Sequence, residues 1–189
     1  MKTKGNLIVI SGPSGVGKGT VCKQLLKNRD DIMLSVSATT RKPRNEDTEG
    51  VTYYFKTVEQ FKEMIDADQF LEWAVYNENY YGTPVAPVME RINSGKNVLL
   101  EIEVQGALNV KDRYPEGVYI FIAPPSVEVL RERLQGRGTE SEEEIAKRVA
   151  AAEAELAQKD KYDYLVINDV LEDAVASIED IIEKRSVSL

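Results

Sequence analysis

Short apolar runs rich in β-branched residues recur along the chain at Leu7–Ile10, Val98–Ile102, Tyr119–Ile122 and Leu165–Ile167, with a weaker one at Leu34–Val36. Runs of this length, without alternation, predict strands buried on both faces of a sheet. Between them the apolar residues recur at three- and four-residue spacing, which predicts helices over Lys18–Lys27, Pro84–Asn93, Val127–Leu134, Glu142–Gln158 and Leu171–Lys184. Gly95 and Gly136 stand where the second and third of these should stop, and Ser141-Glu142-Glu143-Glu144 has the form of a capping box that starts the fourth. Strands alternating with helices predict an α/β fold, with a parallel sheet covered by helices on both faces.

Two segments interrupt this alternation. From about Ser37 to Thr83 the sequence turns Thr-, Tyr- and charge-rich, as an inserted arm would. Within it Tyr53-Tyr54-Phe55 and Phe70–Tyr76 read as strands, and Thr57-Val58-Glu59-Gln60 caps a short helix carrying Phe61, Met64 and Ile65 on one face. A second arm, rich in Arg, Glu and Ala, runs from about Gly136 to Gln158. The expected organisation is one domain: a core of residues 5–36, 84–135 and 159–189, with arms at 37–83 and 136–158.

Composition narrows the chemistry. The chain has 189 residues, enough for one domain with a sizeable core. Its one cysteine, Cys22, sits at helical spacing among Val21, Leu25 and Leu26, as a small buried hydrophobe would. Histidine is absent, which removes the commonest general base and metal ligand and argues against a triad hydrolase or a zinc enzyme. A net charge of −8 argues against a nucleic-acid partner, since that affinity comes from basic surface. The basic residues are nonetheless grouped, Arg41, Lys42 and Arg44 in one cluster and Arg131, Arg133, Arg137, Lys147 and Arg148 in another. Such clusters in an acidic chain suit small anionic ligands. No window approaches the roughly 18 consecutive apolar residues of a membrane helix. The N-terminus leads directly into the first strand, so a cytoplasmic protein is expected.

The first strand and first helix enclose Gly12-Pro13-Ser14-Gly15-Val16-Gly17-Lys18-Gly19-Thr20. Glycines between a strand and a helix let backbone N–H groups turn toward phosphate oxygens, the helix presents its positive end, and Lys18 adds a cation. The loop predicts nucleoside triphosphate binding. Its strict form has Ser or Thr directly after the lysine for Mg²⁺, whereas here Gly19 stands there and Thr20 follows. Glu101 closes the run Val98-Leu99-Leu100, and Glu103 lies two residues on. Strand periodicity puts both on one face at the carboxyl end, where open α/β sheets bind ligands. Thr20 lies about 100° round the helix from Gly19, so the reading is Mg²⁺ held largely through water, with Thr20 and Glu101 orienting its shell.

Together with Ser35-Val36-Ser37, Thr39-Thr40-Arg41, Glu72-Trp73-Ala74, Tyr80-Tyr81-Gly82, Val104-Gln105-Gly106, Phe121–Ser126, Gly136–Glu140 and Ile167-Asn168-Asp169, the loop makes the chain resemble the guanylate kinases from about Asn6 to Lys184. The resemblance implies a P-loop three-layer α/β/α core, with 37–83 as a mixed α/β arm for nucleoside monophosphate and 136–158 as a helical lid. It implies ATP and GMP as substrates and Mg²⁺ as cofactor, in purine nucleotide metabolism. By resemblance the GMP phosphate falls to Arg41, Arg44, Tyr53 and Tyr81, and guanine to Ser37, Glu72 and Thr83, with Glu103 near the acceptor. Asn168 and Asp169 fall near adenine, and the lid arginines Arg133, Arg137 and Arg148 on the ATP phosphates. Lys18, Arg41, Arg137 and Arg148 are then the catalytic cations. A carboxylate suits guanine, whose N1–H and 2-amino group present two donors side by side. A phosphate monoester is already largely dianionic at neutral pH, so the lack of histidine fits a nucleophile that needs no base. Two other readings stand beside this one: another nucleoside monophosphate kinase of the adenylate kinase type, and a noncatalytic guanylate-kinase-like module binding phosphorylated proteins.

Overall fold

A computed structural model describes residues 4–136 and 141–187. Five strands, β1 (Leu7–Ser11), β2 (Ile32–Leu34), β7 (Asn97–Glu101), β8 (Val118–Ala123) and β9 (Tyr164–Ile167), form a sheet in the order β2-β7-β1-β8-β9. Every pairing in it is parallel. Strand alternation divides its side chains into two cores. Ile8, Ile10, Leu99, Ile120 and Ile122 point toward α1 (Lys18–Asn28) and α7 (Leu171–Val187), against Val21, Cys22, Leu25, Val175 and Ile178. Leu7, Val9, Leu100, Tyr119 and Phe121 point the other way, against Val88 and Ile92 of α3 (Val85–Asn93) and Val104, Ala107 and Val110 of α4 (Val104–Arg113). The result is the expected three layers. Each fully buried aliphatic side chain contributes about 1.5–3 kcal/mol.

Boundaries differ from the sequence reading where pairing, rather than hydrophobicity, decides them. The weak strand expected at Leu34–Val36 lies at Ile32–Leu34, because its register runs from Ile32 opposite Asn97 to Leu34 opposite Leu99. The run at Val98–Ile102 ends at Glu101, so Glu103 is not a strand residue. Glu103 is instead the N-cap of α4, a helix that the pattern did not reveal. Only Val104, Ala107 and Val110 of α4 are buried, a stripe too thin to stand out beside Gly106 and Asn109.

A second, four-stranded sheet occupies the segment read as an inserted arm. It is built from β3 (Ser37–Thr39), β4 (Tyr53–Phe55), β5 (Phe70–Tyr76) and β6 (Asn79–Pro84) in the order β4-β3-β6-β5. β4 and β5 match the expected ranges, while β3 and β6 are additions. Asn77 and Glu78 both have positive φ, as a two-residue hairpin turn between β5 and β6 requires. The helix α2 (Val58–Asp66) begins with the Thr57/Gln60 capping box and stacks Phe61 on Phe70, ring centroids 4.4 Å apart. Beyond the core, α5 (Val127–Gln135) and α6 (Glu142–Leu156) pack together through Leu130, Leu134, Ile145, Val149 and Ala152. No described helix is long and apolar enough to cross a membrane.

Candidate active site

β1 runs out at Ser11, and the loop Gly12–Gly17 turns the chain into α1. Gly12 has φ 145° and its α-carbon lies so near Ile122 that a methyl group there would meet the carbonyl oxygen at 2.1 Å. Gly17 closes the loop at φ 95° and caps α1 without a side chain, leaving the helix's positive end to the loop. Lys18 Nζ donates to Gly12 O at 2.6 Å and Pro13 O at 3.0 Å. Burial lowers its pKa, while Glu155, Glu101 and Glu103, in that order, hold the ammonium charged. The loop is also tied from the far end of the chain. Asn168 Nδ2 donates to Val16 O at 2.8 Å.

Of the expected ATP residues, Arg148 Nη2 donates to Ser14 Oγ at 2.7 Å and so lies directly over the loop. Arg133 is engaged with the carbonyls of Asn168 and Asp169, at 2.9 and 3.5 Å. The Asn168 side chain is buried and serves the loop, whereas Asp169 is exposed beside it. Arg137 lies outside the described residues. On the metal side of the loop, a methyl group at Gly19 would come within 3.4 Å of Glu101 Oε1. That carboxylate therefore stands beside the position a hydroxyl occupies in the strict loop pattern, and the Thr20 side chain is exposed one position on. Hard carboxylate and hydroxyl oxygens next to a phosphate loop fit Mg²⁺, an ion that keeps several waters.

Facing this loop, a cavity of about 350 Å³ opens between the two sheets, lined by Ser37, Tyr53, Glu72, Tyr81, Glu101 and Glu103 among others. Both acids named from the end of β7 thus reach one cavity, although they arrive on different elements. Glu72 and Thr83 are cross-strand partners on β5 and β6, and Thr83 Oγ1 donates to Glu72 Oε1 at 2.6 Å. Gly106 at the start of α4 brings its backbone against the same carboxylate: a methyl group there would lie 3.3 Å from Oε2. Burial pushes the Glu72 carboxyl above its usual range, with Glu103 adding to the push and Thr83 opposing it. Thr83 thus orients a carboxylate that lines the cavity.

Arg41 lies 5.3 Å from the centre of the Tyr53 ring and 5.9 Å from that of Phe55, with Tyr81 in edge contact with Tyr53. Its guanidinium is oriented by Asp47 at 2.9 Å, and Asp47 also accepts the Arg44 backbone N–H at 2.7 Å. The Arg44 side chain is exposed and does not line that cavity. Asp47 and Glu155 are absent from the sequence-derived site. Asp47 lies in an acidic, turn-rich stretch and Glu155 in a helix dense with glutamates, so neither stands out by type or spacing. Among the described residues, no cluster of three or more Asp, Glu or Cys side chains forms a metal cage by itself.

A parallel sheet with a phosphate-cradling loop after its central strand, a helix that lays Arg148 across that loop and a base-sized cavity opposite defines a P-loop nucleotide phosphotransferase. Shikimate kinase from Bacteroides thetaiotaomicron shares this fold with a TM-score of 0.50 at 14% identity, over 94% of this chain and 98% of that one. The chain belongs to the guanylate kinase family, whose model matches residues 4–185. A guanylate kinase of Halalkalibacterium halodurans is 57% identical over 181 residues, 96% of this chain and 89% of that protein. The crystal structure of guanylate kinase from Anaplasma phagocytophilum has a TM-score of 0.74 at 32% identity, covering 98% of this chain and 88% of that one.

Proposed function

We propose that the chain transfers the γ-phosphoryl group of ATP to GMP, giving ADP and GDP, in the cytoplasm. The observation that carries this reading is the Glu72–Thr83 pair. It is a half-buried carboxylate oriented by Thr83, in a cavity of nucleobase size that faces a phosphate loop. Guanine offers the carboxylate two adjacent donors, whereas adenine offers an acceptor at N1 and leaves the carboxylate unpaired, a mismatch that rejects a base strongly. Ser37 lies on the same wall. Arg41, Arg44, Tyr53 and Tyr81 bind the acceptor phosphate and aim one of its oxygens at the γ-phosphorus.

In the transfer that oxygen forms the new P–O bond while the bond from the γ-phosphorus to its β-bridging oxygen breaks. No proton need move. The loop N–H groups and Lys18 hold the donor phosphates, and Arg148 and Arg137, brought by the lid of residues 136–158, add positive charge as it builds on the equatorial oxygens and exclude water. Mg²⁺, when bound, neutralises the donor phosphates. Glu101 and Thr20 are the residues that would hold that ion through its waters. Division into a core, a monophosphate-binding arm at 37–83 and that lid gives each substrate its own closing element.

A coupled assay for ADP with purified protein, Mg²⁺, ATP and each nucleoside monophosphate in turn tests the reading. Turnover with GMP, and at least a hundredfold less with AMP, is expected. Preference for AMP points to the adenylate kinase reading, and silence with every monophosphate to a noncatalytic module; either result overturns the proposal.

A further inference from the structure

The segment from Arg41 to Tyr53 carries most of the residues assigned to the acceptor phosphate, and it leaves the second sheet after β3 to rejoin it at β4. Bonds within the segment hold it in shape. At the β4 end Thr48 N–H donates to Thr52 Oγ1 at 2.9 Å, Gly50 N–H to Tyr53 O at 2.8 Å and Phe55 N–H to Glu49 Oε2 at 2.9 Å. At the β3 end the fastening is Asp47. Its Oδ2 accepts the Arg44 backbone N–H at 2.7 Å and Arg41 Nη2 at 2.9 Å, so one oxygen holds both. The Asp47 N–H donates to Arg44 O at 3.1 Å, and the Asp47 side chain is only 7% exposed although Asn45 and Glu46 beside it stand in solvent. Arg41 is framed in turn. Nη1 donates to Lys42 O at 3.0 Å, Nη2 meets Asp47, and the guanidinium lies against the Tyr53 and Phe55 rings. A guanidinium has five N–H donors, and these two bonds leave the rest for an anion.

We propose that Asp47 is a positioning residue that sets the spacing of the two arginines assigned to the acceptor phosphate, because a single carboxylate oxygen fixes both the guanidinium edge of Arg41 and the main chain from which Arg44 reaches. The proposal rests on the reading of Arg41 and Arg44 as ligands of the GMP phosphate. Asp47 itself does not touch that phosphate. Bidentate guanidinium–phosphate bonds depend on plane and edge, and a displacement of about 1 Å is enough to lose much of their effect. The Arg44 side chain is exposed, so the placement of its backbone decides where it can reach. The Arg44 N–H, and after it the Arg41 side chain, hold the Asp47 carboxyl below its usual range, which keeps the shared acceptor ionised near neutral pH. A carboxylate this close offsets part of the charge of Arg41. What it supplies is geometry.

The test compares Asp47→Asn, which keeps an acceptor oxygen for both donors, with Asp47→Ala, which keeps none, and takes Arg41→Ala as the reference for a lost phosphate contact. Dissociation constants for GMP and ADP are measured by calorimetry, and hydrogen exchange is followed in β5 and β6, which carry Glu72 and Thr83. Asp47→Ala is expected to weaken GMP binding roughly tenfold and Asp47→Asn no more than about threefold, with ADP binding and the exchange of β5 and β6 as in the wild type. Unchanged or tighter GMP binding in Asp47→Ala overturns the proposal. So does GMP binding as weak in Asp47→Asn as in Asp47→Ala, since charge and not the shared acceptor would then matter. Faster exchange throughout β5 and β6 in Asp47→Ala also overturns it, by making Asp47 a support of the whole arm. If Arg41→Ala binds GMP as the wild type does, the phosphate reading fails and this proposal with it. If Arg41→Ala weakens GMP binding and Asp47→Ala does not, that reading stands and the proposal alone falls.

Discussion

Glu72, proposed above as the guanine reader, is held in the fold at some cost. Its carboxyl is raised by burial, so below the unfolded pKa both states are protonated and the penalty is absent. As pH climbs through the folded pKa the native state must ionise a buried group, and stability is lost. The penalty is complete above the folded pKa. Glu72→Gln removes it and preserves an acceptor for Thr83, so the variant's Tm at pH 7 should equal or exceed the wild type's, while kcat/KM for GMP falls by at least a hundredfold and the Kd for ATP is unmoved. Wild-type kcat/KM for GMP should decline as pH falls through the raised pKa of Glu72, and titrating the residual activity of Glu72→Gln should show that limb missing. A wild-type kcat/KM in the variant would remove Glu72 as the guanine reader. The loop residues and Glu72 are legible in the sequence because their chemistry is local: glycines where the backbone must turn, and a carboxylate within a strand. Asp47 and Glu155 are not, since each acquires its partner only through folding.

Among the elements, the central strands are the most legible, because burial on both faces leaves uninterrupted apolar runs. Short strands of the second sheet are harder to see. β3 and β6 are rich in Thr, Tyr and Gly, and their identity depends on pairing with β4 and β5. The α5–α6 pair shows how one element serves the site through another. Leu134 joins the apolar cluster between these helices and also packs over Gly15, where a methyl group would lie 2.7 Å from its Cδ2. Leu134→Ala should destabilise the protein by about 2–5 kcal/mol through the cavity it leaves. Hydrogen exchange should quicken most in α6, and KM for ATP should rise more than KM for GMP. A uniform loss of protection across all helices would contradict that division.

At the scale of the whole molecule, α4 joins the two sheets. Its first turn backs Glu72, and at its other end Arg113 donates to Phe70 O and to Asp68, both at 2.7 Å. The Asp68 side is exposed and contributes little by itself, but the Phe70 carbonyl fixes where β5 leaves the core. Arg113→Ala should therefore raise KM for GMP about threefold, from the loss of roughly 0.5–1 kcal/mol of arm placement, with the Kd for ADP unaffected; steady-state kinetics and calorimetry separate the two. This coupling is not readable from the pattern, which marks a segment that breaks the strand–helix alternation but not what that segment leans on. The bond from Asn168 to Val16 spans 152 residues, so the phosphate loop, written in the first tenth of the chain, is braced by a side chain near its end. During synthesis the loop emerges from the ribosome long before its brace. A nascent chain arrested before β9 should therefore fail to retain ADP, and one extended past α7 should retain it: the protein acquires its grip on ATP only after the segment that braces the loop has been made.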